Sequence, residues 1–259
     1  MPSFFQLRAF ITWWLDAVDG HSLHSPFLFD FYTNIVAATK RSNAKEPIEA
    51  LREQLLKNNT VIEVADFGAG SAHNAGAKRK ISDIAKTSLS SARFSRIYQR
   101  LIKHFAGETA LELGTSLGIN TLYLAEAASK VITFEGAPAI TDIARENFRA
   151  MNRDNIEIIT GDINTTLPEF LSGAEALDFV FVDANHRYEP TIRYFDWLRL
   201  HLHDRSVVVF DDIHYRSEME AAWNKVRSHP EVTVSIDLFR AGILFFDPSL
   251  NKQHVVIQV

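Results

Sequence analysis

From Ala110 to Asp247 one pattern recurs: a short apolar run rich in β-formers, then a segment with helical spacing. The runs are "ALEL", "KVITFE", "IEIIT", "LDFVFVD", "SVVVFD", "VTVSID" and "GILFFD"; "PAITDIARENFRAMN" and "PTIRYFDWLRLHL" lie among the helical segments between them. Parallel neighbours need a connection long enough to cross the sheet, so this alternation predicts an α/β domain whose sheet is mostly parallel. Only "LFRA" separates the last two runs, too little for a crossover helix, so they are expected to pair as an antiparallel hairpin. The expected core is therefore a Rossmann-like sheet of seven strands over residues 107–259, five parallel and two in a terminal hairpin.

Residues 1–106 read differently. Helical patterns run over Phe4 to Val18, Phe27 to Ala38, Pro47 to Lys57 and Ala92 to Phe105, with Ser25 before Pro26 as an N-cap. No repeat or low-complexity linker separates this part from the rest, so it is expected to be a helical cap packed on the α/β core. Its charge also differs. Residues 1–106 carry a net charge of +5 and residues 107–259 a net charge of −10. Eight basic residues lie between Lys78 and His104 against one Asp, either a solvated helix face or a patch that meets an anionic substrate. The absence of cysteine excludes disulfides, thiolate metal sites and cysteine nucleophiles. No run approaches the ~20 apolar residues that span a bilayer, and the N-terminus lacks the pattern of a signal peptide, so a cytoplasmic protein that does not enter membranes is expected. A homodimer is compatible with the sequence, which does not specify the oligomeric state.

Two stretches end an apolar run in a glycine-rich turn: "VADFGAGSAHNAG" (residues 64–76) and "ALELGTSLGINTLYLA" (residues 110–125). A nucleotide-binding turn needs a strand before it and a helix after it whose N-terminus faces the ligand. The second stretch has both, with Ile119, Leu122 and Ala125 on one helical face; the first has no apolar periodicity after its glycines. The first is read as an edge strand or turn in the cap that folds over the mouth of the site as a lid. The second lacks the close glycine pair of a dinucleotide fingerprint, which argues against a nicotinamide dehydrogenase.

Glu112, Gly114 and Gly118 instead form an E-x-G-x-x-x-G pattern that resembles the class I S-adenosylmethionine-dependent methyltransferases. The resemblance covers about residues 107–248 and includes the run of strands with a terminal hairpin. It implies S-adenosylmethionine as cofactor, bound by Glu112, Gly114, Gly118 and Asp183, by Glu135 at its ribose and by Asp162 at its adenine. "VDANHRYEP" and "VVVFDDIHY" add a narrower likeness to metal-dependent O-methyltransferases of the catechol and caffeoyl-CoA type. On that likeness Asp183, Asp211 and Asp212 hold Mg²⁺ or another divalent cation, Asp212 standing where Asn is usual. Asp183 and His186 are the catalytic candidates, His186 as a base where that family carries Lys. The D-x-x-H-x-Y-E arrangement is closer still to a broad, poorly characterised group of class I methyltransferases, in which His186 has a structural or cofactor-contacting role as an equal alternative. The implied reaction is O-methylation of a small, anionic or neutral molecule. The alternatives are an RNA methyltransferase using residues 78–103, disfavoured by the overall acidity, and a cofactor-binding regulatory module without catalysis. His214 and Tyr215 are placed near the same strand ends without a role, and His21 and His24 either reach over the active site on their loop or serve local capping and packing, the second favoured.

Overall fold

A computed structural model describes residues 4–41, 47–64 and 77–259. The N-terminal part comprises α1 (Phe4–Asp16), α2 (Pro26–Phe31), which runs on as π-helix to Ala37 and ends in a short turn α3 (Ala38–Lys40), and α4 (Pro47–Lys57). A small antiparallel hairpin of β1 (Val61–Val64) and β2 (Ala77–Lys80) follows, then α5 (Ile81–Ser88) and α6 (Ala92–Leu101). Ser25 occupies the N-cap of α2, but its side chain makes no capping bond; the turn before it is closed by Asp19, which accepts from the backbone N–H groups of His21 and Ser22. The strands of the hairpin are mostly exposed and carry Glu63 and the basic residues 78–80, so they lack the buried apolar run that marks the strands of the α/β part.

The α/β part alternates as expected: β3 (Thr109–Leu113), α7 (Ile119–Ala125), β4 (Lys130–Glu135), α8 (Pro138–Ala150), β5 (Ile156–Thr160), α9 (Ile163–Leu171), β6 (Leu177–Val182), α10 (Tyr188–Leu198), β7 (Leu202–Phe210) and α11 (Ser217–Arg227), then β8 (Val234–Asp237), β9 (Gly242–Phe245) and β10 (Gln253–Val256). The sheet has the order β10-β8-β9-β7-β6-β3-β4-β5, eight strands rather than seven. β9 lies antiparallel between β7 and β8, as the short connection required. The additional strand β10 pairs in parallel with β8, and Val18 bridges its end at Ile257, tying the two ends of the described chain together.

Both faces of the sheet are buried, which explains why its strands read as nearly continuous apolar runs. Side chains alternate between the faces. Ala110, Val131, Phe179, Phe181, Val207 and Val209 pack with residues of α2, α6 and α7. Leu111, Ile132, Val180, Val182, Val208 and Phe210 pack with residues of α9, α10 and α11. The helices α4, α5, α7 and α8 share a third core that includes Val64. Among the described residues no helix is long and apolar enough to cross a membrane.

Candidate active site

The C-terminal ends of β3, β4, β5, β6 and β7 lie along one edge of the sheet, and the strand order reverses between β3 and β6. A crevice opens outside the strand ends at such a reversal. Two adjoining cavities of about 210 and 250 Å³ occupy it and share Arg79, Gly114, Glu135, Ile140 and Asp183. The first extends to Asp162 and Asn185, the second to Ser116, His186, Asp212 and Arg240. A third, more apolar cavity of about 480 Å³ meets the second at Asp212 and Arg240 and is walled by Leu7 and Phe10 of α1 with His214, Tyr215 and Phe239.

The β3–α7 turn can be built only with its glycines. Gly114 has φ +102°, and a Cβ there would lie 2.2 Å from the Asp183 carbonyl oxygen; Gly118 has φ +81°, and a Cβ there would lie 2.4 Å from the Phe148 ring. Such φ values are strained for any residue with a side chain. The Glu135 carboxylate accepts from the backbone N–H of Ser116 at 2.9 Å and of Ala137 at 3.0 Å, which fixes it at the cavity wall. Asp162 caps α9 by accepting from the Asn164 N–H.

Beyond β6 the chain enters left-handed backbone at Asn185 (φ 64°) and His186 (φ 35°), and it does so again at Asp212 (φ 54°) after β7. Strain of this kind is held in place only by its surroundings. It brings His186 Nε2 to 3.2 Å from Asp183 Oδ1. Burial alone would lower the His186 pKa, but Asp183, Asp212 and Asp211 outweigh it and push the imidazole up to about 9.

Side-chain parity separates the two aspartates after β7. Asp211 continues the series Val207, Val209 and turns beneath the sheet toward α6, where it is fully buried. It accepts from Tyr98 Oη at 3.0 Å, from Ser90 Oγ at 3.3 Å and from Arg240 through Nε and Nη2, at 2.9 Å for Nη2. Burial and the nearby Asp183 push its carboxyl up to about 6 against the pull of Arg240, while the same carboxylate holds Arg240 firmly protonated. Asp212, one residue on, lines the cleft with its oxygen 3.9 Å from Arg240 Nε.

The description of a methyltransferase domain matches residues 111–213. Residues 111–213, about two fifths of the chain, are thus similar to a methyltransferase domain. It is 30% identical over 123 residues to a catechol O-methyltransferase of Niastella koreensis, covering 46% of this chain and little more than half, 55%, of that relative. Its fold is that of an O-methyltransferase from Bacillus cereus crystallised with S-adenosylhomocysteine (TM-score 0.61, 18% identity, 83% of this chain and 98% of that one). It is also that of the O-methyltransferase TomG from Streptomyces achromogenes (TM-score 0.60, 16% identity, 83% and 96%).

Within residues 111–213 Gly114, Glu135, Asp162 and Asp183 converge on the cleft, and His186 joins them. Glu112 does not. The parity that sends Ala110 to the α7 face sends Glu112 there too, fully buried, accepting from Asn120, Thr121 and Thr133. Its carboxylate ties the end of β3 to α7 and β4. Burial outweighs those three bonds and pushes its pKa from 4.5 to about 7. A folded-state pKa above the unfolded one means stability that is full below pH 4.5 and lost as pH rises through about 7. This single group is expected to remove about 2–3 kcal/mol of unfolding free energy between pH 5 and 8. Urea melts of Glu112→Gln should show that slope flattened, and an unchanged slope would place the titration elsewhere.

The donor set does not fit a divalent cation. Asp211 has both oxygens engaged, Asp212 faces the same guanidinium, and no group of three or more His, Asp or Glu among the described residues is arranged to hold a metal. Three site residues, Tyr98, Ser90 and Arg240, escaped the sequence reading. Arg240 sits in the connection treated only as a hairpin turn, and a backbone bond from Ile213 N to Arg240 O at 3.1 Å brings that turn beside Asp211 and Asp212. His214 is held between Glu220 and Asp237 and stacks on Phe239, so it walls the apolar cavity. The lid expectation for "VADFGAGSAHNAG" falls largely on residues 65–76 and lies outside the described residues; β1 and β2 flank them, and Val64 and Arg79 line the first cavity.

Proposed function

We propose that the protein transfers a methyl group from S-adenosylmethionine to an oxygen of a small acceptor with an apolar body. The observation that carries this reading is the continuity of three cavities: a cleft between Glu135, Asp162 and Gly114, a polar middle at Asp183 and His186, and an apolar pocket against α1. The first suits the cofactor's chemistry, because its carboxylates accept from hydroxyl and amine donors and favour a cation nearby. Gly114 allows the backbone to approach where a Cβ has no room. Glu135 would take the ribose hydroxyls, Asp162 the adenine side, and the turn at Gly118 would close beneath them.

S-adenosylmethionine, when bound, supplies a methyl group on a sulfonium that an oxygen nucleophile can displace. The protein's part is to position that oxygen and to take its proton. Asp183 holds the proton on His186 Nε2, which leaves Nδ1 to accept the one the acceptor loses. A base must be neutral to act, so kcat/KM is expected to rise with pH to a plateau near the His186 pKa of about 9. His186→Gln should lower the plateau about 100-fold and remove the rise. A wild-type profile that falls over that range would mean that the imidazolium, not the neutral ring, is the working form.

Arg79 is the member of the basic stretch that lines the cleft, and it borders both of the first two cavities. Calorimetric titration of the wild-type chain with S-adenosylhomocysteine tests the whole reading. One-to-one binding is expected, and its absence from folded protein would remove it; binding without turnover across hydroxylated acceptors would favour a regulatory module.

A further inference from the structure

We propose that Arg240 fills the place a divalent cation would take among the carboxylates at the ends of β6 and β7, and that its guanidinium orients the acceptor oxygen. Each of the three carboxylates expected to hold an ion faces a cationic or cation-forming side chain instead. Asp211 is bridged by Nε and Nη2 of Arg240, Asp212 lies 3.9 Å from Nε, and Asp183 lies 3.2 Å from His186 Nε2. Inner-sphere ligation by Asp211 would need an ion about 2.1 Å from an oxygen that already accepts two bonds, with a fixed positive charge alongside.

Arg240 is built into this position. Its carbonyl accepts from Ile213 N, its amide donates to Leu238 O, and Phe94 lies under the guanidinium at 5.9 Å. The side chain is about one-third exposed and lines both the polar cleft and the apolar pocket. Among the described residues Nη1 makes no hydrogen bond, so donors remain for an oxygen arriving from the apolar side. A guanidinium keeps its charge at every working pH and needs no ion from solution. It also makes no demand for two neighbouring oxygens, as a chelated metal does, so an acceptor with one isolated hydroxyl on an apolar frame meets the requirement.

Arg240 enters here as part of the acceptor site proposed above, while ion binding can be measured whether or not that site turns over. The full chain is titrated with MnCl₂, with and without S-adenosylhomocysteine, following free Mn²⁺ by electron paramagnetic resonance. Wild type is expected to bind none below about 1 mM. Arg240→Ala, which uncovers the carboxylates, should bind Mn²⁺ about ten-fold more tightly than wild type or better, and adding Asp211→Asn should abolish the gain. Circular dichroism reports whether Arg240→Ala is folded; if it is not, Arg240→Gln, which keeps the bulk without the charge, takes its place. Tight wild-type binding that Asp211→Asn removes would overturn the proposal, as would a folded Arg240 variant with no gain. Failure of S-adenosylhomocysteine to bind would instead strike the cofactor reading and leave the Mn²⁺ result standing.

Discussion

Asp211→Ala is expected to cost about 4 kcal/mol of stability, the largest effect of any single substitution at this site. The carboxylate is fully buried and accepts from three side chains at once. Its removal leaves the Tyr98 hydroxyl, itself fully buried, without its acceptor and the Arg240 guanidinium with Asp212 as its nearest counter-charge at 3.9 Å. Breaking one side of such a buried pair costs more than the pair contributes, because the remaining charge is left desolvated. For a chain of this length the melting midpoint should fall by about 8–16 °C. Asp211→Asn keeps an oxygen for Tyr98 and should cost about half as much. The double variant Asp211→Ala/Arg240→Ala should lose less than the sum of the single losses, as expected for two members of one network. Additive losses would show that the two side chains act independently and that the bidentate contact does not stabilise the native state.

For Glu135→Ala the expected result is a loss of about 3.5 kcal/mol in cofactor affinity, a roughly 300-fold rise in the S-adenosylhomocysteine dissociation constant. The carboxylate ends β4, where its backbone places it at the cavity wall, and the N–H groups of Ser116 and Ala137 orient it. A ribose would present two hydroxyl donors to it, and each charge-assisted bond contributes about 1.5–3 kcal/mol. Glu135→Gln keeps one acceptor oxygen and should lose about ten-fold. Calorimetry with matched thermal melts separates this from unfolding. A change of less than about three-fold in Glu135→Ala would remove Glu135 from the ribose site.

Much of this molecule was legible in the chain because it follows from local periodicity. The alternation from Ala110 onward, the glycine turn and the short "LFRA" connection specify a parallel sheet with an antiparallel strand near one side, and the acidic residues at the ends of β4, β5 and β6 reach the cleft. β10 and the β1–β2 hairpin carry no buried apolar run, since "VIEV", "AKRK" and "QHVV" are partly exposed and interrupted by polar residues, whereas the equally short β8 and β9 are buried throughout. The direction of the Glu112 side chain was illegible for another reason. A motif marks a residue as important without saying which way its side chain points, and here three donors from α7 and β4 draw it inward.

The sequence by itself determined the α/β class, the cofactor-type turn and the edge on which the chemistry lies, since hydrophobic period and glycine chemistry are properties of neighbouring residues. The tertiary structure alone decided what the acidic residues after β6 and β7 do. "DD" after a strand reads as two equivalent ligands, yet parity buries Asp211 against Tyr98 and leaves Asp212 in the cleft. The charge that meets them comes from Arg240, 29 residues away from Asp211 along the chain. A contact of that range is set by which strand pairs with which, so it leaves no periodic trace in the sequence.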